Sequence, residues 1–391
     1  MFDLLCIRRQ RPFSKREPLD LAFLAEAMLF YQSVHLIADI DILSQLVSEC
    51  GPALVIELIE EGFLKISYLE KQPGIQSLEI GRSIEHQWFQ PAPIGDIQGS
   101  LHLEKIAPEI FSKIAGSSAN GSQLGKRFTK LVSTLDIGNE LLSSVREDFA
   151  DQKYVGDAVA HLLSVIVPTY RLPQNYYFQL SKMGAHFHID TTVDFRQLSE
   201  SFRQFWKLTG DFDPAILLVY LFEARSDLFF AAREGAELAT NPAGAAIIDV
   251  KCRKILSASS KSQDNIELFQ EMVLGNGHEI GESIKLGYRT WADLLTLLKK
   301  ARKFKEWLRQ KDPNASLLHE YMKVLEKETW IGTTSTKLLR FLIFTGLGFI
   351  VQPVASIGLS AADAFLADRL LGGWKPDQFV NGPLKEFARL D

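Results

Sequence analysis

An α/β unit is predicted by residues 33–69, SVHLIADIDILSQLVSECGPALVIELIEEGFLKISYL. Residues 33–38 and 64–69 are short and mostly apolar, as buried strands are, and the apolar spacing of residues 42–47 and 53–59 indicates two helices between them. Strands joined through helices pair in parallel, with a right-handed crossover. We therefore expect the N-terminal part of the chain to form a small α/β unit.

Two acidic residues follow the first predicted strand. Asp39 and Asp41 lie at its carboxyl end, where parallel α/β units hold their ligands. Aspartate is also one of the preferred N-cap residues, and the next helix is predicted to begin at Ile42. Capping is therefore the favoured role for these aspartates, and ligand binding is the alternative.

The rest of the chain is predicted to be mainly helical. Apolar stripes indicate helices over residues 195–208, 214–234 and 243–256, and two strand-like segments around a glycine-containing turn predict a β-hairpin near residues 176–190. The fold class expected is α+β and predominantly α-helical. A small N-terminal α/β unit would precede a mainly helical body with one β-hairpin and a C-terminal apolar helical hairpin or membrane segment.

Three domains are expected, because 391 residues exceed the size at which a single core usually stops growing. An α/β domain over residues 1–114 ends at a predicted flexible loop, residues 115–125, which is dense in glycine, serine and asparagine. A mainly helical domain with the hairpin follows over residues 126–285. Residues 286–391 combine a basic amphipathic helix with an apolar segment.

Composition limits the classes of function. Hydrophobic residues make up 46% of the chain and charged residues 23%, and the mean hydropathy of +0.01 is typical of a folded soluble protein and too low for a protein with several membrane spans. The net charge of -5 argues against a chain built throughout for binding nucleic acid. Nucleic acid is therefore not an expected partner.

Cysteine spacing and the N-terminus indicate the compartment. Cys6, Cys50 and Cys252 lie far apart without a CxxC pair, so neither a zinc site nor a disulfide framework is predicted. The N-terminus runs from a short apolar start into basic residues, which is the reverse of the order in a signal peptide. We expect a cytoplasmic protein, with association to the inner face of a membrane as an option.

Three residues of the predicted hairpin have the spacing of metal ligands. In a strand, His186, His188 and Asp190 project from one face, and two imidazoles with a carboxylate suit zinc or iron. A strand with one solvated face has the same alternation without any metal. These three residues are the candidate metal ligands, and the identity of any cofactor is left open.

Complete catalytic signatures are absent from the sequence. It contains no Gly-x-Ser-x-Gly elbow, no His-Glu-x-x-His pair and no complete phosphate-binding loop. Glu223 and Asp227 lie four residues apart on one predicted helix, a spacing that suits a divalent ion, but alternating charges on a long helix usually mark its solvated side. Catalytic residues are therefore not assigned, and an enzyme is not the favoured class.

One segment is unlike a soluble surface. Residues 341–362, FLIFTGLGFIVQPVASIGLSAA, contain no charged residue. At about 1.5 Å of rise per residue, a continuous helix of this length just covers a hydrocarbon core about 30 Å thick. Membrane contact is therefore a question that the sequence raises.

The same segment also has a reading inside a soluble fold. Pro353 splits it into two pieces that are too short to span a membrane alone. Ser360 followed three residues later by Asp363 resembles a capping box, which would begin a soluble amphipathic helix. One kinked membrane span, a shallow membrane hairpin and a buried pair of helices that closes a core are the alternatives.

A basic amphipathic helix is predicted over residues 291–309, upstream of the apolar segment. Its polar face is rich in lysine and arginine, and tryptophans lie at both ends, a pattern of helices that lie on anionic membranes. A helix that follows a phosphate backbone and a core helix with a solvated basic face have the same pattern. The residues expected to contact a membrane are Trp291, Lys299, Lys300, Lys303, Trp307, Phe341, Phe344, Phe349, Ile350 and Ile357.

Three functions are compatible with these features. The leading expectation is a non-enzymatic cytoplasmic sensor or binding protein that engages membrane lipid through residues 341–362. The first alternative is a soluble interaction protein in which this segment is a core or dimer interface, with another protein or a second copy as partner. The further alternative is an unrecognised metal-dependent hydrolase or nuclease that uses the N-terminal α/β unit. Neither a small-molecule ligand nor the oligomeric state is predicted.

Overall fold

The computed structural model describes residues 3–10, 17–70, 74–80, 83–89, 102–135, 139–183, 186–207, 210–258, 270–274, 284, 287, 289–309, 339–344 and 363. In these ranges the protein is a mixed α/β structure in which helices predominate.

The helices are α1 (Leu21–Phe30), α2 (Ile40–Cys50), α3 (Pro52–Glu60), α4 (Leu103–Ile114), α5 (Ser118–Leu131), α6 (Asn139–Ala150), α7 (Gln152–Ile166), α8 (Phe195–Trp206), α9 (Pro214–Glu234), α10 (Pro242–Ala258) and α11 (Trp291–Arg309). The strands are β1 (Leu4–Ile7), β2 (Ser33–Ala38), β3 (Leu64–Leu69), β4 (Gly74–Ile80), β5 (Ser83–Phe89), β6 (Ser133–Leu135), β7 (Phe178–Met183), β8 (His186–Thr191), β9 (Glu237–Ala239), β10 (Gln270–Leu274) and β11 (Leu339–Phe344).

Seven strands form the main sheet, in the order β10-β11-β9-β1-β2-β3-β6. The five strands from β9 to β6 run parallel, while β11 runs antiparallel to both β9 and β10. The parallel pairing of β2 with β3 confirms the α/β unit predicted from residues 33–69. From β1 the chain adds β2, β3 and β6 on one side and later β9 on the other, so the strand order reverses between β1 and β9. We refer to this place as the switch point.

Helices cover both faces of the main sheet. Alternate residues of a strand point to opposite faces. In β2, Leu36 belongs to the hydrophobic cluster formed with α1 to α5 and α11, whereas Ile37 belongs to the cluster formed with α6, α7, α9 and α10. The main sheet is therefore the middle layer of an α/β/α sandwich.

Four strands form a second, antiparallel sheet in the order β4-β5-β8-β7. Strands β7 and β8 are the hairpin that the sequence predicts near residues 176–190, so this prediction is confirmed. Phe178 and Phe187 pack into the same hydrophobic cluster as α7 and α9. The second sheet therefore extends the helical layer on one face of the main sheet.

The prediction of a flexible loop at residues 115–125 is wrong, because most of these residues belong to helix α5. Two glycines let α5 lie directly on the backbone of α4. A Cβ atom on Gly121 would lie 2.5 Å from the Cα of Ser112, and one on Gly125 would lie 2.6 Å from the Cα of Pro108. The glycines serve close helix packing, a role that composition alone does not distinguish from flexibility.

Strands from all three predicted domain ranges join the main sheet, with β1 to β3 from residues 1–114, β6 and β9 from residues 126–285, and β11 from residues 286–391. The domain limits themselves stay predictions. Strand β11 contains the first residues of the apolar segment. The rest of it, with Phe349, Ile350 and Ile357, lies outside the described residues, so the C-terminal helical hairpin or membrane segment also stays a prediction.

Within the described part of the chain, no single helix is long and apolar enough to cross a membrane. Helices α2 and α3 reach the required length and composition only as a pair, and the chain direction bends by 102° between them.

Candidate functional site

Polar side chains gather at the switch point, where the carboxyl ends of β1, β2 and β9 meet. Arg8 and Arg9 directly follow β1, Asp39 follows β2, and Thr240 follows β9. In open α/β sheets, the crevice at this place is where ligands bind. Together with three acidic residues they form what we name the switch-point cluster: Arg8, Arg9, Asp39, Asp41, Glu223, Asp227 and Thr240.

Arg9 holds the two aspartates at the start of α2. Its Nη2 donates to Asp39 Oδ2 at 2.6 Å and to Asp41 Oδ2 at 2.8 Å. The other carboxylate oxygen of Asp39 accepts the backbone N–H of Ile42 at 2.9 Å, so Asp39 is the N-cap of α2, as the sequence predicts. Asp39 therefore serves both as the helix cap and as a partner of Arg9.

Arg8 points to the opposite face of the sheet, towards α9. Its Nη2 donates to Glu223 Oε2, and its Nε lies 3.3 Å from Asp227 Oδ1. The hydroxyl of Thr240 donates to Asp227 Oδ2 at 2.8 Å. Gly244 leaves room for this hydroxyl, because a Cβ atom there would lie 2.3 Å from Thr240 Oγ1. Arg8 and Thr240 thus fix the carboxylate of Asp227 from two sides.

The interpretation of Glu223 and Asp227 as the solvated side of a helix is wrong. Asp227 is 4% exposed, and the side chain of Glu223 is 19% exposed. Helix α9 packs on the main sheet, so its charged residues meet Arg8 rather than water. The two acidic pairs that the sequence presents separately, one after β2 and one on α9, are brought together by two consecutive arginines.

Burial and charge shift the pKa values of the cluster. Burial raises the pKa of Asp227 to about 7, and the nearby Glu223 adds to this effect, while Arg8 and the Thr240 hydroxyl oppose it. Burial alone would lower the pKa of Arg8, but Glu223 and Asp227 outweigh it and the pKa is raised. Arg8 therefore stays charged, and Asp227 changes charge near neutral pH.

Two buried atoms of the cluster lack a hydrogen-bond partner. They are Nη1 of Arg8, a donor, and Oδ1 of Asp227, an acceptor. Buried polar atoms are almost always paired in folded proteins. A bound polar group that offers both an acceptor and a donor would satisfy the two atoms together.

The predicted metal ligands lie on β8, on the face opposite the buried Phe187. His186 Nδ1 lies 3.4 Å from Glu85 Oε2, and Asp190 accepts the hydroxyl of Tyr177 at 2.9 Å. Across the described ranges, no group of three or more His, Cys, Asp or Glu residues is arranged to hold a metal ion. The metal role of His186, His188 and Asp190 stays a prediction without structural support.

Helix α11 packs into the fold through its apolar side. Trp291 is 7% exposed and joins the same hydrophobic cluster as α1 and α3. Lys299 Nζ lies 2.7 Å from Glu57 Oε1, and Arg302 Nη2 donates to Glu61 Oε2 at 2.7 Å. Lys300, Lys303 and Trp307 lie on the same helix, while Phe341 and Phe344 lie in β11. A membrane contact by Trp291 or Lys299 would have to break these interactions.

A second cluster of buried charges lies within the helical layer. Arg225 Nη1 of α9 donates to Asp363 Oδ1 at 2.5 Å, and Lys251 Nζ of α10 lies 3.3 Å from Asp363 Oδ2. Both cations also pair with Asp148 of α6. Burial opposes ionisation of Asp363, but hydrogen bonds and charge from Arg225 and Lys251 outweigh it, so its pKa is lowered. Two cations thus balance two carboxylates, and residue 363 is anchored to two helices, α9 and α10.

A cavity of about 550 Å³ opens between α1, α2 and α11. Two polar side chains of its lining already serve the fold. Asp20 caps α1 by accepting the backbone N–H of Ala22, and Gln45 exchanges two hydrogen bonds with the backbone of Leu19. The switch-point cluster, which has two buried atoms without a hydrogen-bond partner, is therefore the better candidate site.

Sequence reasoning missed the two arginines of the site. They belong to the basic run that follows the short apolar start of the sequence, and their position directly after a short apolar strand is the feature that could have indicated them. Comparison with protein families, with curated proteins and with solved structures finds no significant match to this chain.

Proposed function

We propose that this protein is a soluble binding protein that takes a small polar ligand at the switch-point cluster. The observation that argues against a membrane span is that both ends of the apolar segment are anchored in the fold. Residues 339–344 pair within the main sheet, and Asp363 is buried among Arg225 and Lys251. A span would place its ends on opposite sides of a hydrocarbon core about 30 Å thick. Because both ends of the segment are held by the same folded protein, we infer that the segment packs against this protein and does not cross a membrane.

The charges of the cluster indicate the class of ligand. Four carboxylates face two guanidinium groups within it, so a phosphate or another anion is disfavoured despite the arginines. A ligand oxygen would accept from Arg8 Nη1, and a ligand ammonium or amide would donate to Asp227 Oδ1. A small amine that also carries a hydroxyl or carboxylate, such as an amino alcohol or amino acid, meets these requirements.

Membrane engagement through residues 341–362 is the competing proposal, and it rests on the absence of charge in that segment. Fractionation of the full chain, expressed in bacteria and broken without detergent, separates the two. We expect a soluble and monodisperse protein. Recovery with membranes that resists high salt and alkaline carbonate would overturn our proposal, above all if Gly348→Arg or Ile357→Arg abolished it, because a charge near the bilayer centre is costly.

The ligand class is tested by thermal unfolding with a panel of amino alcohols and amino acids, with inorganic phosphate as the anionic comparison. A ligand at 100 times its Kd stabilises the folded state by about 2.7 kcal/mol, which raises Tm measurably. We expect at least one amine to raise the Tm of the wild-type protein and of the control variant Asp211→Asn, whose carboxylate is 79% exposed.

The variant Asp227→Asn should lose this response, because its amide no longer offers a charged acceptor to the ligand. A Tm increase with phosphate but with no amine, or an equal response in both variants, would contradict the site. The fractionation result does not depend on this outcome, so the two parts of the proposal fail separately.

A further inference from the structure

A row of polar side chains lies on the face of the main sheet that packs against α9. His35 Nε2 lies 2.8 Å from Ser67 Oγ, and Ser67 Oγ lies 2.7 Å from Ser133 Oγ. On the other side of the imidazole, Nδ1 lies 3.2 Å from Glu234 Oε2, although this pair is not aligned as a hydrogen bond and Nδ1 has no other partner. We name these four residues the serine relay.

Strand register brings the relay together. Ser67 of β3 is the partner of Ile37 on one side and of Ser133 of β6 on the other. His35 lies two residues before Ile37 and therefore on the same face. Glu234 ends α9, the helix that packs on this face and leads into β9. None of these four residues belongs to the switch-point cluster.

One assignment of donors and acceptors gives the hydrogen bonds of the relay a single direction. Burial lowers the pKa of His35 to about 4, so the ring is neutral at neutral pH. The carboxylate of Glu234 favours the tautomer with its proton on Nδ1, which leaves the lone pair of Nε2 to accept from Ser67. Ser67 then has its oxygen free to accept from Ser133. A proton that leaves Ser133 thus has a path to the imidazole.

Exposure decides which oxygen meets a substrate. His35 is 0% exposed and Ser67 is 2% exposed, whereas Ser133, in the edge strand β6, is exposed. A nucleophile, a base and a group that orients the base within hydrogen-bond reach are the arrangement of covalent catalysis by serine. The relay adds one hydroxyl between the surface and the base.

We propose that Ser133 is the nucleophile of an acyl-transfer site for activated esters, with Ser67 and His35 as positioning residues that receive its proton. Ser133 Oγ bonds to the ester carbonyl carbon, and its proton passes to Ser67 while the proton of Ser67 passes to His35 Nε2. The ester C–O bond breaks, the departing alkoxide takes a proton from the Ser67 hydroxyl, and Ser67 regains a proton from His35 Nε2. Water then hydrolyses the acyl-serine.

A fluorophosphonate probe tests this proposal on the full chain. Ser133 Oγ would displace fluoride from phosphorus, which forms a P–O bond and leaves a permanent adduct that peptide mass spectrometry can locate. We expect a single adduct, at Ser133, that is absent from heat-denatured protein. Because a buried imidazole is a weak base, labelling should be slow. Ser181→Ala, which removes another exposed serine in a strand, is the matched control and should label like the wild type.

Variants of the relay separate a chemical role from a structural one. Ser133→Ala should lose the adduct, and Ser67→Ala or His35→Gln should lower the labelling rate by at least about tenfold, since general bases contribute that much or more. Ser67→Thr keeps the hydroxyl and should restore labelling. No adduct in folded wild-type protein, an adduct at another residue, or equal labelling of Ser67→Ala and wild type would overturn the proposal.

Discussion

Arg8 and Arg9 are neighbours in the chain but serve opposite faces of the main sheet. Successive residues of an extended chain alternate in direction, so Arg8 meets α9 and Arg9 meets the start of α2. Each guanidinium is bound by two carboxylates, which keeps both arginines charged although they are nearly buried. Asp227 in the same cluster is less favourably placed, because burial raises its pKa to about 7 and leaves it partly protonated near neutral pH.

We predict that the wild-type protein loses stability relative to Asp227→Asn as the pH rises from about 4 to about 7. The pKa of Asp227 is raised from 3.8 to about 7, so the folded protein binds this proton more tightly than the unfolded chain does. The stability that this proton contributes is therefore complete below the pKa of Asp227 in the unfolded chain. It is lost as the pH rises through the pKa of Asp227 in the folded protein. At about 1.4 kcal/mol per pKa unit, the change is on the order of 4 kcal/mol.

Urea unfolding of both proteins across this pH range measures the difference. The comparison must be between variants, because His35 acts in the opposite direction. Its pKa is lowered from 6.5 to about 4, so the wild-type protein also loses stability as the pH falls through that window. This effect is common to both proteins and cancels. Parallel stability curves would show that Asp227 is not the group that binds the proton.

At the scale of secondary structure, the sequence predicts elements whose pattern is local. Strands β2 and β3 begin and end where the apolar runs do, and α9 begins at the proline that follows its cap Asp213. Residues 115–125 were predicted to be a loop because glycine and serine also occur in turns. The glycines of α5 allow this helix to pack closely on the backbone of α4. Neither sequence segment alone indicates that the two helices are in contact.

We predict that Gly125→Ala destabilises the protein although alanine is the better helix former. Alanine gains about 1 kcal/mol of helix propensity, but its Cβ would lie 2.6 Å from the Cα of Pro108, so backbone has to move. Overpacking of this kind costs about 1–3 kcal/mol, and we expect a net loss in the free energy of unfolding measured in urea.

Gly156→Ala in α7 is the matched control for this substitution. Its Cβ would meet only the carbonyl oxygen of Phe178 at 3.5 Å, an ordinary contact. The gain in helix propensity should then appear as a small increase in stability. If both variants changed stability by the same amount and sign, close packing of α4 and α5 would not explain the glycine.

At the scale of the whole molecule, the candidate site joins parts that are remote in the sequence. Arg8 and Glu223 are 215 residues apart, and they meet because β9 is placed beside β1. Sequence patterns predicted Asp39 as a cap and drew attention to Asp41, Glu223 and Asp227, but they did not indicate which strand lies next to β1. The pairing of charges follows from that neighbour and was therefore outside local prediction.

The same reasoning gives Asp363 a role for the whole fold, because it binds the C-terminal part of the chain to α9 and α10. We predict that Asp363→Asn lowers the free energy of unfolding by about 3–5 kcal/mol, since removing one partner leaves Arg225 and Lys251 buried with only Asp148 between them.

Asp249→Asn is the matched control, because Asp249 pairs with the largely exposed Arg253 one turn along α10. Loss of such a surface pair costs less than about 1 kcal/mol. Urea unfolding compares the two variants, and far-UV circular dichroism checks that each keeps its helices. A loss for Asp363→Asn no larger than that for Asp249→Asn would mean that residue 363 does not hold the C-terminal part in the fold. The proposal of a soluble binding protein depends on this anchor at the second end of the apolar segment, so the same result would contradict that proposal.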